Sequence, residues 1–421
     1  MNTKKIEDLD ARLFVATTGI RVLKALTWPQ ESESVFLEQW HKGNPVLPTF
    51  KPPVKDLSAN IYTLEKIAHE CQQDEPIEKF LAETAQSYAN AGKMLMHVGT
   101  PDFTRYSEKI YGRPDHIYKL QGLSAVDAAK SFLQTTDSLL GNYHVPETTT
   151  DIPAEKFAEW MKTEVNEFFD QDVVEVKLDA RLTSKAIAGA SRIRIRSNAQ
   201  FSQLDKDQLL YHEAFVHTAT MLNGKKQTNL KSLSLGAPRT TRTQEGIAVV
   251  SELITNAMDI TRLRRIALRV LAVKQALDGA DFIDLFKFFL EAGQSEEESV
   301  RSAQRIFRGG DVKNGVVFTK DGVYLQGLLE VHTFMRIAIR DNRPELINNL
   351  FAGRLTLTDT LRLAPLFESG WLRQPVYVPI WAADLRRLSA MMAYSAFISN
   401  IRLDKVYLNR FVEMEDEITQ G

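Results

Sequence analysis

Two histidines and a glutamate in the segment LYHEAFVHT, residues 210–218, carry the side chains that zinc chemistry requires. Zinc in hydrolytic sites binds neutral imidazoles and carboxylates, and a further carboxylate takes a proton from water. His212 and His217 are therefore candidate metal ligands, and Glu213 is the candidate proton acceptor. These residue types indicate metal-assisted hydrolysis.

The two histidines are five residues apart, one more than in the common H-E-x-x-H arrangement. On a regular α-helix five residues turn through about 140°, so the imidazoles would point in different directions. A π-type turn takes about 4.4 residues and would return both rings to one face, and such bulges are frequent at functional sites. The segment predicts either a π-type turn at residues 214–216 with a metal site, or a regular helix whose histidines fill separate faces.

A second predicted helix, in GAPRTTRTQEGIAVVSELI, offers a third ligand. Pro238 and a capping box of Thr241 and Gln244 mark its start. Glu245 would then lie in its first turn, where a downstream helical glutamate can complete a zinc site. Glu252 lies near the same face seven residues later and is the competing candidate, although the interpretation favours Glu245.

Several other side chains are candidates for contacting a substrate. A guanidinium binds a carboxylate bidentately, and the arginines near the two motifs are Arg239, Arg242 and Arg308. Their alternative role is surface solubility. Tyr324 is a candidate hydrogen-bond donor to an oxyanion, with a core tyrosine as the alternative.

A run of alternating arginines, RIRIR, predicts a strand with Arg192, Arg194 and Arg196 on one face. If that strand edged the cleft, it would pair with an extended peptide, and its arginines would favour an acidic one. The alternative is a solvated sheet face.

The elements that must position these residues are mostly helical. Three- and four-residue spacing predicts helices at 61–72 and 77–97, and alternation predicts strands at 173–178 and 192–196. Ser202 or Asp205 is expected to cap the helix that carries the histidines. The expected fold is α+β, mostly α, with a small sheet beside that helix.

A Thr/Pro-rich connector, HVPETTTDIP at 144–153, suggests the domain organisation. It separates a predicted N-terminal helical region, residues 1–148, from a predicted catalytic domain, residues 149–421. The helical region is expected to pack on the catalytic core.

The composition describes an ordinary globular protein with 44% hydrophobic and 25% charged residues. A formal net charge of -2 gives no reason to expect nucleic acid or an anionic membrane as a partner. Cys71 is the only cysteine among 421 residues, which excludes an internal disulfide and a thiolate cluster. No apolar run has the length of a membrane span or signal peptide, so the cytoplasm is the expected location.

The combination of HEAFVH, LGAPRTTRTQEGIA, RGGDV and FTKDGVYLQG resembles the proteins named for a QEGLA motif, over roughly residues 150–400. Bacterial members are labelled flavohaemoglobin expression modulators, and a related animal family comprises the microtubule-associated tyrosine carboxypeptidases, which remove the terminal tyrosine of α-tubulin. The resemblance implies a zincin-like metallopeptidase core. It also implies zinc as cofactor, His212, His217 and Glu245 as its ligands, and Glu213 as the general base.

The function expected from these features is zinc-dependent hydrolysis, as a carboxypeptidase that trims a C-terminal residue from a peptide or protein. The alternative is a non-catalytic regulatory protein that modulates flavohaemoglobin expression, as the bacterial label suggests.

Overall fold

The structure, a computed structural model, describes residues 2–49, 52–118, 122–140, 149–182, 184–313, 315–398 and 400. In these ranges helices dominate and the strands form three small sheets, so the predicted mostly α class is confirmed. Residues 141–148, with part of the predicted connector, lie outside the described residues. So do residues 401–421, the end of the predicted catalytic domain.

The described residues before the connector form seven helices. They are α1 (Thr3–Ala16), α2 (Val22–Ala25), α3 (Ser32–His41), α4 (Ser58–Glu70), α5 (Pro76–Met96), α6 (Pro101–Tyr111) and α7 (Ala125–Leu140). The helices α4 and α5 confirm the two predicted from apolar spacing. Pro76 starts α5, where its missing N–H is not needed.

The later helices begin with the segment that carries the histidines. They are α8 (Ala154–Phe168), α9 (Gln203–Leu209), a π-helix (Leu210–Thr218), α10 (Ala219–Lys226), α11 (Thr241–Ile254), α12 (Ile260–Leu277), α13 (Phe282–Glu291), α14 (Glu296–Ile306), α15 (Val323–Arg340), α16 (Glu345–Asn349), α17 (Leu357–Arg362), α18 (Ala364–Glu368), α19 (Ile380–Ala383) and α20 (Leu385–Ile398). Short 3₁₀ helices lie at Lys231–Ser234, Pro238–Thr240 and Thr319–Gly322. In the described part of the chain, none of the helices combines the length and hydropathy that a membrane span requires.

In the described ranges the strands form two antiparallel pairs and one three-stranded sheet. They are β1 (Ile117–Tyr118), β2 (Leu123–Ser124), β3 (Ile152–Pro153), β4 (Glu175–Leu178), β5 (Ala186–Ile187), β6 (Arg192–Ile195) and β7 (Gln200–Phe201). β1 pairs with β2 and β3 with β7, both antiparallel. In the third sheet β6 is parallel to β4 and antiparallel to β5.

The three-stranded sheet corrects one expectation. β4 and β6 confirm the strands predicted at 173–178 and 192–196, with shorter bounds, and Ile193 and Ile195 are buried as the alternation predicts. However, β6 is the middle strand, because β4 and β5 pair with its two sides. The expectation that this strand edges the cleft and pairs with an extended peptide is therefore wrong.

The largest hydrophobic core joins side chains from both parts of the chain. Ile6 and Leu64 from the N-terminal helices share one cluster with Ile247 of α11 and Val331 of α15. The N-terminal helices therefore pack directly on the later ones, as the sequence predicts. The boundary at residue 148 stays a prediction.

Two glycines allow α11 and α15 to approach each other closely at the centre of this core. A Cβ added to Gly246 would lie 2.4 Å from the carbonyl oxygen of Gly327. A Cβ added to Gly327 would lie 2.3 Å from the carbonyl oxygen of Arg242. A Cβ at either position would overlap the facing backbone, so α11 and α15 can lie this close only because both residues are glycine.

We expect Gly327→Ala to lower the free energy of unfolding by about 1–3 kcal/mol, because overpacking forces the two helices apart. Urea unfolding followed by circular dichroism measures the effect. Gly322→Ala is the matched control, since its added Cβ would come no closer than 3.9 Å to another residue. Equal stability of the two variants would contradict the close crossing.

Candidate metal centre

The segment that carries both histidines is a π-helix from Leu210 to Thr218, continuous with α9 and α10. Ser202 caps α9, and its side chain and that of Asp205 form a capping box, as predicted. The wide turn places the rings of His212 and His217 with their centroids 4.8 Å apart. The predicted π-type turn is confirmed, and the interpretation with histidines on separate faces is wrong.

Glu245 lies opposite the two imidazoles as the fifth residue of α11, just beyond the first turn in which the sequence placed it. Its Oε2 atom is 3.4 Å from Nε2 of His212 and 3.6 Å from Nε2 of His217. One ligand atom from each of the three residues lies within 4.8 Å of the others. The three side chains are nearly buried, with 8–13% of their surface exposed. The structure thus brings the three predicted ligands together.

The start of α11 differs from the prediction in its cap. Thr240 is the N-cap residue and makes no side-chain capping hydrogen bond, so the predicted capping box of Thr241 and Gln244 is wrong. A 3₁₀ turn at Pro238–Thr240 leads into the helix instead. Gln244 faces inward, and its Oε1 accepts a hydrogen bond from Thr220 Oγ1 at 2.9 Å.

The residues present fit a divalent metal. Oε2 of Glu245 is a buried oxygen without a hydrogen-bond partner in the described part of the chain. A buried carboxylate oxygen left in this way is costly, and a cation between it and the two imidazoles would satisfy it. Two imidazoles and one carboxylate are a donor set of catalytic zinc sites. The chemistry of the three side chains therefore matches zinc.

Glu252, the competing candidate, contacts the far side of His212. Its Oε1 lies 2.6 Å from Nδ1, the ring atom that does not face Glu245. Arg262 in turn donates from Nε and Nη2 to the two oxygens of Glu252, both at 3.2 Å. Glu252 is fully buried. This arrangement is that of a carboxylate that orients a ligating histidine, so the geometry favours Glu245 as the third ligand.

The electrostatics of the cluster follow from these contacts. Burial alone would lower the pKa of His212, but its contacts with Glu245 and Glu252 raise that pKa well above its usual range. Burial lowers the pKa of His217, which has a single carboxylate partner. The asymmetry arises because Glu252 lies against only one of the two rings.

Glu213 is positioned by the backbone that follows β5. Its Oε2 accepts a hydrogen bond from the N–H of Ala188 at 2.9 Å. The side chain is half-buried on the same π-helix as both histidines. A carboxylate held beside a metal site in this way can exchange protons with a water molecule there.

Lys320 and Tyr324 adjoin Glu245 on the side away from the histidines. Nζ of Lys320 lies 2.9 Å from Oε1 of Glu245 and 3.0 Å from the hydroxyl of Tyr324. Burial alone would lower the pKa of Lys320, but the charge of Glu245 raises it above its usual range. Lys320 thus links Tyr324 to the centre. The sequence had indicated Tyr324 as a candidate but not Lys320.

A cavity of about 470 Å³ opens beside His217 and Glu245. Its walls include Tyr88 and Tyr111, and Lys320 and Arg354 bring two cations to its lining. Nη1 of Arg354 lies 2.9 Å from Oε1 of Gln244 and 3.5 Å from Nδ1 of His217. Burial lowers the pKa of Arg354, partly offset by the charge of Glu245.

Arg354 was not singled out by the sequence. It lies in FAGRLTL, about 140 residues after the histidines, with no motif around it. Lys320, by contrast, lies within the FTKDGVYLQG segment that carried the family resemblance. The place of Lys320 in that segment was therefore the feature of the sequence from which its role in the site could have been predicted.

The predicted substrate arginines lie outside the lining of this cavity. Arg239 pairs with Asp359 and Glu83, and its Nη2 lies 2.8 Å from Oδ1 of Asp359. Arg242 donates to the carbonyl of Tyr111 at 3.1 Å and to Glu330 at 3.4 Å.

The arginines of β6 and Arg308 have other surroundings. Arg192 donates to Glu175 at 3.2 Å and Arg194 to Asp179 at 3.1 Å, across the sheet face. Burial, followed by repulsion from Arg305, lowers the pKa of Arg308 to about 10. The contacts of Arg192 with Glu175 and of Arg194 with Asp179 indicate that these two arginines stabilise the sheet.

We expect Arg239→Met to lower the free energy of unfolding by roughly 2–4 kcal/mol, because it leaves the buried carboxylate of Asp359 short of a partner. Denaturant unfolding measures this loss. Arg343→Met is the control, since Arg343 forms only exposed ion pairs and its loss should change little. An unchanged stability of Arg239→Met would contradict the structural role.

Comparison with known proteins places this centre in a family. A search of the curated proteins finds no match to the chain. Residues 35–400 match the sequence model of a family described as microtubule-associated tyrosine carboxypeptidase. That match includes the π-helix, Glu245, Lys320 and Arg354, and it covers most of the chain. The chain therefore belongs to the microtubule-associated tyrosine carboxypeptidase family.

Proposed function

We propose that this protein is a zinc-dependent carboxypeptidase that removes the C-terminal residue from a peptide or protein. One observation carries the proposal: the buried Oε2 of Glu245, which has no hydrogen-bond partner among the described residues, faces Nε2 of both His212 and His217. Membership in a family described as tyrosine carboxypeptidase supports the reaction class. A zincin-like arrangement of the core forms part of the same proposal.

His212, His217 and Glu245 would hold the zinc. When bound, zinc supplies Lewis-acid polarisation of a carbonyl and brings the pKa of water near 7. Glu252 fixes the orientation of the His212 ring through Nδ1, so that Nε2 faces the metal position. Lys320 compensates the carboxylate of Glu245 from the other side.

Glu213 is the proposed proton carrier. The N–H of Ala188 holds its Oε2, and this leaves Oε1 as the atom that we assign to proton transfer. The carboxylate accepts a proton from the attacking water and passes it to the leaving amine. Tyr324, held by Lys320, is the proposed donor to the developing oxyanion.

The cavity provides the cation that a carboxypeptidase needs for the terminal carboxylate. Among the cations in its lining, Arg354 and Lys320 adjoin the proposed metal ligands. Arg354 has the planar donor pair that a carboxylate binds bidentately, and its Nε has no hydrogen-bond partner in the described part of the chain. We therefore assign Arg354 the role that the sequence suggested for Arg239, Arg242 or Arg308. A C-terminal tyrosine is the first substrate to test, given the description of the family.

We expect the purified protein to bind one zinc ion per chain and to lose hydrolysis of peptides when a chelator removes it. Added zinc should restore the activity. Glu213→Gln should lower kcat by at least about 100-fold while zinc stays bound, because it removes the proton acceptor. Release of the C-terminal amino acid, with zinc content measured by atomic absorption, gives both results.

A protein without stoichiometric zinc, or a Glu213→Gln variant with full activity, would overturn the proposed function. The protein would then be a binding protein rather than an enzyme.

We expect Arg354→Met to lower kcat/KM roughly 10- to 100-fold for peptides with a free C-terminus. This is the change expected when a hydrogen bond to a charged group is lost. The same peptides with an amidated C-terminus should be poor substrates of both proteins, with little difference between them. Arg373→Met is the control, because Arg373 is exposed and absent from the cavity lining. If Arg354→Met lowered kcat/KM equally for free and amidated peptides, Arg354 would act on the metal centre and would not bind the terminal carboxylate.

A further inference from the structure

The turn between α1 and α2, residues 17–21, forms one wall of the cavity beside the candidate metal centre. All five of its residues line the cavity, together with Phe14 of α1 and Leu23 of α2. This N-terminal turn precedes residues 35–400, the part of the chain that matches the family. The wall therefore lies outside the part of the chain on which the family assignment rests.

The N-terminal turn is fixed in place by α4. Nδ2 of Asn60 donates to the carbonyls of Ala16 and Thr18, at 2.9 and 3.2 Å. Ile20 is buried, with 6% of its surface exposed. Its Cδ1 lies close to the position that a Cβ on Gly92 of α5 would take. Two backbone carbonyls and a buried side chain thus anchor the turn, so it presents a defined surface to the cavity.

The preceding helix ties the turn to the segment that leads into α11. The buried carboxylate of Asp10 accepts hydrogen bonds from the backbone N–H groups of Lys231 and Ser232, at 2.8 and 3.0 Å. That segment continues to Leu235 and Gly236, which line the same cavity. The turn and the opposite wall are therefore held at a fixed separation.

Two exposed side chains of the turn, Thr18 and Arg21, determine the bulk and the charge that it presents to the cavity. Thr18 is exposed and lines the cavity. Arg21 is also exposed and lines the cavity. With Lys320 and Arg354 it makes three cations around the cavity, against the single carboxylate of Glu245, which Lys320 already engages.

We propose that the N-terminal turn determines which C-terminal residue this protein accepts: Thr18 limits the size of the terminal side chain, and Arg21 disfavours a basic one. The proposal rests on the carboxypeptidase function given above. A cationic wall repels a lysine or arginine side chain and tolerates a neutral one. A wall residue facing the terminal side chain sets an upper limit to its volume.

Charge reversal tests the contribution of Arg21. We expect Arg21→Glu to raise the ratio of kcat/KM for a peptide ending in lysine over the same peptide ending in leucine, by roughly five- to tenfold. Lys24→Glu is the matched control, because Lys24 is an exposed cation three residues away that does not line the cavity. The gain should shrink as the salt concentration rises, since both charges are accessible to ions.

Added bulk tests the contribution of Thr18. We expect Thr18→Trp to lower kcat/KM for a peptide ending in tyrosine at least about tenfold more than for one ending in alanine, because the new ring occupies the cavity. Thr135→Trp, on the exposed face of α7 and away from the cavity, should leave that ratio unchanged.

Equilibrium binding separates this inference from the proposed function. The four peptides are titrated against each variant in a Glu213→Gln background, with fluorescence anisotropy as the readout. Wild-type protein that does not hydrolyse peptides, with binding selectivity that still follows Arg21 and Thr18, would overturn only the proposed function. Selectivity that is the same in Arg21→Glu and Lys24→Glu, and in Thr18→Trp and Thr135→Trp, would overturn the inference.

Discussion

The buried carboxylate of Glu245 is the constraint on which the centre of the molecule depends. A carboxylate removed from water is stable only when cations or hydrogen-bond donors surround it. Lys320 satisfies one oxygen, and the other faces the two imidazoles. The π-helix, the start of α11 and the 3₁₀ turn before α15 therefore have to meet at this point. The glycine crossing of α11 and α15 sets the distance at which they do so.

Local features of the sequence predicted the part of the centre that depends on local geometry. The spacing of His212 and His217 requires a wide turn if both are to reach one metal, and the structure has a π-helix there. The placement of Glu245 followed from recognising where α11 begins. The capping box proposed for that start was wrong because a 3₁₀ turn precedes the helix and turns Gln244 toward Thr220.

The sequence did not predict the features that depend on contacts between distant parts of the chain. Arg354 reaches the centre only because the π-helix, α11 and the loop after α16 converge, and no spacing pattern records that convergence. The alternation in RIRIR gave the faces of β6 correctly but could not give its neighbours, so its position between β4 and β5 came only from the structure. Arg239 shows the same limit, since its partners Glu83 and Asp359 lie on either side of it at long range.

The cavity joins the N-terminal turn to side chains from much later in the chain, and this has a consequence for the order of folding. The N-terminal turn is synthesised long before Lys320 and Arg354, which line the same cavity. Contacts of such long sequence separation form slowly, because the intervening loop must close before they contribute. A nascent chain can therefore assemble the histidine-bearing helix while the cavity beside it is still open. A chain synthesised only as far as α11 contains both histidines and Glu245 but lacks Lys320 and Arg354, two cations of the cavity lining.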